Sequence, residues 1–477
     1  MQNHRVQALA NKRIGRLLWS LSLPAGIGMF VMALYNVVDT IFIGRAVGTL
    51  GIAGLSIVFP VQMLMVGTGQ MIGIGGASLL SRSLGSQDMG RAERTLGNAV
   101  FLVCVLGVTV TAVGLAGSSF WLRLLGASED VLPYARAYFN IIVLATTFRV
   151  FAMSANGLVR AEGNARTPMM AMVVGAGLNI VLDAVFILGL RMGVAGAATA
   201  TVVAELVSAT YLLSYYLRHR SSVRMALHNI APERSVLREI LAVGASSFVR
   251  TTAGSMVIVF VNRSLVTYGG DVALAAFGVL HRVLMFLFMP LISIGQGLLP
   301  ILGFSYGAGR YDRAYSVVRL SIIVGSTLAA MAFCIIFFFP APIISIFTAD
   351  SALISTGAHG ARLMFAAAFL VGFQIVGSVL FQAIGKALPA FITAISRNVL
   401  FFLPTILLLP RFLGLDGVWA SFPVADSLAF LLTFFLALPQ IRRFRKAVRE
   451  SAGQGETSPA ESHVSPSGDS AATGPGQ

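Results

Sequence analysis

Charge is what this chain of 477 residues has least of: 11% of it is charged, against 56% hydrophobic, with a mean hydropathy of +0.83. A soluble domain carries about a quarter charged residues, so a string of soluble domains is excluded. Cysteine is nearly absent. Cys104 and Cys334 both lie inside apolar runs, which excludes a disulfide scaffold. The six histidines show no metal-ligand spacing. No nucleophile elbow, zinc-binding helix motif or phosphate loop is present. The links between apolar runs are too short for a soluble catalytic domain, so neither an enzyme nor a cofactor is expected. The net charge of +15 would suggest nucleic acid in a soluble protein. Here it points to basic cytoplasmic loops, and no nucleic-acid partner is expected.

What the chain does have is long apolar runs. A membrane-crossing helix needs about 20 apolar residues. Twelve segments qualify, at 17–44, 52–80, 95–119, 131–159, 167–190, 193–217, 238–266, 273–303, 314–340, 355–384, 388–410 and 416–439. The expected fold is an all-α integral membrane protein. The first run is too long for a signal peptide and is expected to stay in the chain. If the N-terminus is cytoplasmic, 23 basic residues fall on the cytoplasmic side and six outside. That bias puts both termini in the cytoplasm and makes the number of spans even, as in a multi-pass protein of the cell inner membrane. Residues 451–477 carry no Lys or Arg and are rich in Gly, Ser, Pro and Ala, the composition of disorder.

The chain also repeats itself. Gly73, Gly75, Ser83, Gly85, Arg91 and Ala92 return 222 positions later as Gly295, Gly297, Ser305, Gly307, Arg313 and Ala314. Ala161 and Gly163 return as Ala383 and Gly385, and Gly193 and Gly196 as Gly414 and Gly417. Twelve spans thus divide into two six-helix lobes, and six is even, so the repeat is parallel, about an axis along the membrane normal. The expected divisions are an N-terminal lobe over 1–220, a cytoplasmic linker over 221–237, a C-terminal lobe over 238–447 and a disordered cytoplasmic tail over 448–477. Two bundles facing one another across a cleft suit alternating access.

Ionisable groups at membrane depth cost several kcal/mol and are functional candidates by default. Four acids qualify: Asp39, Asp183, Glu205 and Asp426. Asp39 on the first span, Asp183 on the fifth and Thr201 on the sixth reach a similar depth in the outer half of the membrane. Asn179 and Asp183 are four apart and share a helix face, as do Ala197 and Thr201. Two carboxylates, a carboxamide and a hydroxyl can coordinate a small cation, or the two carboxyl groups can hold a proton between them. Glu205 lies one turn below Thr201, and its repeat partner is Asp426; this pair suits a structural role as well as a functional one. Five arginines also lie inside spans: Arg149, Arg250, Arg282, Arg362 and Arg397. Arg250, Arg282 and Arg397 either pair with Asp426 and main-chain carbonyls or line a cavity that attracts anionic groups. Pro24, on the helix of Asp39, permits a kink and is a candidate hinge.

Several stretches resemble the multidrug and toxic compound extrusion (MATE) transporters: Pro24 through Gly44 with Tyr35-Asn-Val-Val-Asp-Thr-Ile-Phe-Ile-Gly44 at its core, Ile72 to Gly85, Arg160-Ala-Glu-Gly-Asn164, and Leu178-Asn-Ile-Val-Leu-Asp183. The resemblance covers about residues 10–445. It implies an antiporter in the lipid bilayer that exports amphipathic, cationic small-molecule drugs in exchange for H⁺ or Na⁺; a monomer is expected. It also implies that Asp39, Asn179, Asp183 and Thr201, with the Ala197 carbonyl, form a cation site that can hold Na⁺. Where one branch of the family carries acids in the seventh and tenth helices, this chain offers Thr251, Ser255, Gln374 and Ser378. That resembles the branches that couple through the N-lobe. The arginine surplus in the C-lobe, Arg250 and Arg282 foremost, also resembles a flippase for lipid-linked saccharide precursors in the same superfamily.

Overall fold

The computed structural model describes residues 2–456. Within them there is no β-strand. A polar backbone in lipid must satisfy its own hydrogen bonds, which a helix does within one segment. Nine helices are long and apolar enough to cross a bilayer, and two further pairs, bent by 54° and 46°, pass together. The longest helix, Arg234–Gly307, is two spans joined at Gly270, whose φ of 64° breaks the helical path. The total is the expected twelve.

Several details differ from the sequence reading. The fourth span is Leu132–Leu144 followed by Thr146–Ala161, and the tenth is likewise broken between Met364 and Val371. Neither break carries the Gly or Pro that would mark it. The fifth span ends in a π-helical turn, Ala184–Gly189, directly after Asp183. The linker is not a free strap. Glu233 N donates to Asn98 Oδ1 (2.8 Å), and the Asn229 carbonyl lies where a Cβ on Gly97 would collide with it. The last helix, Leu415–Glu456, runs through the first residues of the expected disordered tail, because Arg442 to Glu450 continue it as a charged helix with an i,i+4 pair, Lys446–Glu450 (3.6 Å). Residues 457–477 lie outside the described part.

The two halves meet at the end that holds the basic loops. One buried cluster there draws on both halves, from Leu18 and Ile72 to Ile240, Leu298 and Val376. Towards the other end the core divides, one cluster within each half. The shared seal is built from the repeated glycines. A Cβ on Gly85 would strike the Phe304 carbonyl, and one on Gly307 would strike the Arg82 carbonyl. Gly75 meets Ile240, and Gly297 meets Leu18 and Ser22. Each of these pairs maps onto the other at the repeat offset, so the seal has two-fold pseudosymmetry. Without side chains at these points the main chains approach closely.

Polar bonds fasten the same end. Glu239 of the seventh span binds Arg82 (2.8 Å) and Arg91 (2.6 Å). Ser78 Oγ donates to the Gln382 carbonyl. The short helix Gln2–Asn11, which precedes the first expected span, bridges the halves. Its last carbonyls have no partner within the helix. Arg310 donates to that of Ala10 (2.8 Å), and Arg313 to that of Leu9 (3.0 Å) and to the carbonyl of Lys12 just past the helix (2.9 Å). At its other side Arg5 donates to Tyr215 Oη (2.9 Å), which donates to Glu162 (2.9 Å). Glu162 is fully buried and also accepts from Ser221 and Ser222 N; burial pushes its carboxyl up to about 7 against these three donors.

Above the seal the halves part. Leu18, Ser22, Gly26 and Phe30 form one face of the first span and touch the eighth, the last through Phe286 (ring centroids 6.1 Å). On the same face, further along, Leu34, Val37 and Ile41 are each nearly half exposed. A cleft therefore opens beyond Phe30. A cysteine at Ser78, fully buried here, is expected to resist a water-soluble thiol reagent in a background free of Cys104 and Cys334. Adding Gly307→Val should keep the seal from closing and make that cysteine react; unchanged protection in folded protein would contradict this account of the seal.

Candidate cation-binding site

Three helices of the first half bring the expected polar cluster together. Asp39 and Asp183 are 8% and 0% exposed, and their carboxyl groups are hydrogen-bond neighbours. Each has one buried oxygen, Oδ1, without a partner. Asn179 is buried beside them. Turned so that both its ends are satisfied, its carboxamide donates to Asp183 Oδ2 (3.2 Å) and accepts from the Thr201 N–H (3.3 Å). Thr201 Oγ1 lies 3.4 Å from the same carboxamide. In the helical ladder the Thr201 N–H belongs to the carbonyl of Ala197, four residues back. Sharing it with Asn179 leaves that carbonyl spare acceptor capacity. The π-helical turn after Asp183 is a feature often found at functional positions.

Two carboxylates in contact cannot both stay charged in an apolar interior unless something positive lies between them. The orphaned oxygens leave unused acceptor capacity that one proton or one small cation would satisfy. The donors are all oxygen, which suits a hard monovalent ion or a proton. Among the described residues, no group of three His, Cys, Asp or Glu side chains could hold a metal.

The remaining charged candidates sort into pairs and free groups. Glu205 binds Arg149 (2.6 Å), and Asp426 binds Arg397 (2.5 Å). Repeat-related acids thus each hold an arginine, from different helices. Of the two roles open to Arg397, the structure shows the ion pair. Arg250 is half-buried and Arg282 exposed, and among the described residues neither makes a hydrogen bond or ion pair. Arg282 lies one helical turn from Phe286 on the cleft side. Pro24 sits inside the unbroken helix Ile14–Ala46, where it withholds an N–H from the Ser20 carbonyl. Gln374 reaches the Asp426 carbonyl (3.4 Å), Thr251 meets Gln70 of the other half (3.3 Å), and Ser378 Oγ has no partner.

Some residues of this interior escaped the sequence reading. Tyr138, buried, accepts from Gln62 Nε2 (2.9 Å), and Tyr35 lies one turn below Asp39. Both tyrosines are within electrostatic reach of Asp39 and of Arg149. Only the spacing of Tyr35 and Asp39, four apart, signalled this in the sequence.

Fold and site together define a two-lobe membrane transporter. The MatE family model matches residues 24–185 and again 246–407, two copies separated by the repeat offset. The chain belongs to the MATE family. It is 24% identical over 436 residues to the multidrug export protein MepA of Staphylococcus saprophyticus, covering 91% of this chain and 96% of that one. The structure of the MATE multidrug transporter DinF-BH is similar at 41% identity and TM-score 0.83, over 88% of this chain and 94% of that one. A multidrug resistance MATE family transporter in an outward-facing conformation is similar at 27% identity and TM-score 0.87, over 92% and 98%.

The two intramembrane ion pairs make a direct test of structural roles. Asp426 is 5% exposed and Arg397 32%. Removing Arg397 alone leaves a buried carboxylate unpaired, at a cost of about 3 kcal/mol, the lower end for a broken buried pair because Arg397 is partly in contact with water. Arg397→Met is expected to lower the midpoint of thermal unfolding sharply, and adding Asp426→Leu should recover most of the loss; equal loss in both variants would contradict the pairing.

Proposed function

We propose that this protein is a cation-coupled multidrug exporter that works by alternating access. The observation that carries the proposal is the Asp39–Asp183 carboxyl pair, buried, mutually adjacent and short of partners. The basic end is taken as cytoplasmic, since Lys and Arg are retained there. The cleft beyond Phe30 then opens to the outside, in keeping with the similarity to an outward-facing relative. A drug enters between the lobes when the glycine seal is open, and the lobes rock until that seal closes. H⁺ or Na⁺ then occupies the carboxyl pair, with Asn179, Thr201 and the Ala197 carbonyl as further ligands. For coupling, the cation must bind one conformation more tightly than the other. Asp39 shares the first span with Pro24, the proposed hinge, and with the Phe30 face that lines the cleft. Occupancy at Asp39 can therefore reach the drug's path along one helix. Amphipathic cationic drugs are the proposed substrates, in keeping with relatives named as multidrug transporters.

A second reading, flipping of a lipid-linked saccharide precursor, rests on the free Arg282 beside the cleft floor and on Arg250. In that reading Arg250→Ala with Arg282→Ala abolishes function, whereas an exporter keeps transport with an altered drug range.

The test is efflux of ethidium, an amphipathic cationic dye, from proteoliposomes with H⁺ and Na⁺ gradients imposed separately, followed by a small panel of other cationic dyes. One gradient should drive efflux, and Asp39→Asn should reduce it to the level without a gradient. If neither gradient moves any dye through folded protein, the exporter reading fails.

A further inference from the structure

One turn nearer the basic end than the carboxyl pair lies a second charged layer. Glu205 is four residues from Thr201 on the sixth span, and Tyr35 is four from Asp39 on the first, so each sits about 6 Å along its helix from the site. Glu205 Oε1 binds Arg149 Nη2 of the fourth span at 2.6 Å, with the two side chains 20% and 11% exposed. Glu205 Oε2 is buried and has no partner. Tyr35 and Tyr138 lie within electrostatic reach of both Arg149 and Asp39. Arg149 is thus a permanent positive charge one layer below a site that takes positive charge, linked to it through the two tyrosines, and Glu205 is what holds it there.

The C-lobe supplies an internal comparison. Asp426, the repeat counterpart of Glu205, also binds an arginine. The residues matching Asp39 and Asp183 at the repeat offset are Val261 and Thr405, so no carboxyl pair stands above that ion pair. A lobe that needs only a structural cross-link has one; the N-lobe places the same device beside a cation site.

We infer that the Arg149–Glu205 ion pair sets the affinity of the Asp39–Asp183 site for its coupling cation, with Arg149 as the opposing charge and Glu205 as the group that neutralises it. This rests on the reading of the carboxyl pair as the coupling site. Arg149 and Glu205 are positioning residues that touch neither the cation nor the drug. The signs follow from electrostatics. Arg149→Gln removes a positive charge and exposes the Glu205 carboxylate, so the site binds its cation more tightly and releases it more slowly. Glu205→Gln frees Arg149 towards the carboxyl pair, so the site binds more weakly. The double variant removes both charges and returns towards wild type. A purely structural cross-link predicts no such opposition, since either single change breaks the same bond.

The experiment is dye efflux in proteoliposomes, with ethidium or whichever of the panel the wild type exports. It is titrated with Na⁺ at fixed pH and with H⁺ in the absence of Na⁺, reading the half-saturating cation concentration apart from the maximal rate. Arg149→Gln should lower that concentration and Glu205→Gln raise it, each by about fivefold or more, as for typical site-to-site coupling. Arg149→Lys should rescue the wild-type value, and Arg397→Met/Asp426→Leu should leave it unmoved. Where Arg149→Gln does not fold, Glu205→Gln and Arg149→Lys decide the matter alone. If both single variants shift the same way, or only the maximal rate or yield changes, the inference is overturned while Asp39→Asn still upholds the coupling site. If wild-type efflux ignores both cations, the coupling reading falls and this inference with it.

Discussion

Two carboxyl groups pressed together away from water are the constraint on which the rest of this structure turns. Among the described residues neither Asp39 nor Asp183 has an arginine of its own, unlike Glu205 and Asp426. Their neighbours are a carboxamide, a hydroxyl and each other. Such a pair is tolerable only with a proton or cation between the groups, and the proposed coupling to an ion gradient rests on that requirement. The helices around it follow from this need. Three spans converge to supply oxygen ligands, and the fifth leaves regular α-helical geometry directly after Asp183.

The lobes then decide what the ion's presence can do. A parallel repeat places matching glycines opposite one another across the molecule, so closure at the basic end is the same contact made twice. Gly85 on the Phe304 carbonyl and Gly307 on the Arg82 carbonyl leave no space for a side chain. Packed surfaces of this kind are bistable; they close or they part. Around the glycines lie bonds that separation must break: Glu239 to two arginines, and the N-terminal helix held by Arg310 and Arg313. Two discrete arrangements are what the proposed alternating access requires, and beyond the shared core each lobe has a core of its own.

Much of this could be read from the sequence, for definite reasons. Apolar run length gives spans because lipid offers the backbone no partners. The offset of the glycines gave the two lobes, and acids at membrane depth are costly enough to stand out. Asn179 and Asp183 were legible together because four residues make one helical face. What escaped depends on contacts between distant segments. Nothing local ties Arg149 to Glu205, or says which of Arg250, Arg282 and Arg397 holds Asp426. The break at Ala145 lacks the glycine or proline that would announce it, and residues 2–11 are too short and polar to register as a span. Their order comes from arginines some 300 positions away. Arg282 read as a charge buried in a span because its helix face, opposite Phe30 and the cleft, is settled only by packing.

The central claim is that the Asp39–Asp183 pair takes up one monovalent cation. Equilibrium binding to the purified protein tests it most directly, with Na⁺ uptake measured at fixed pH and proton uptake measured without Na⁺. The account predicts uptake of one cation per protein, lost in Asp183→Asn. No uptake of either ion by folded wild-type protein, or uptake that survives in both Asp39→Asn and Asp183→Asn, would contradict it.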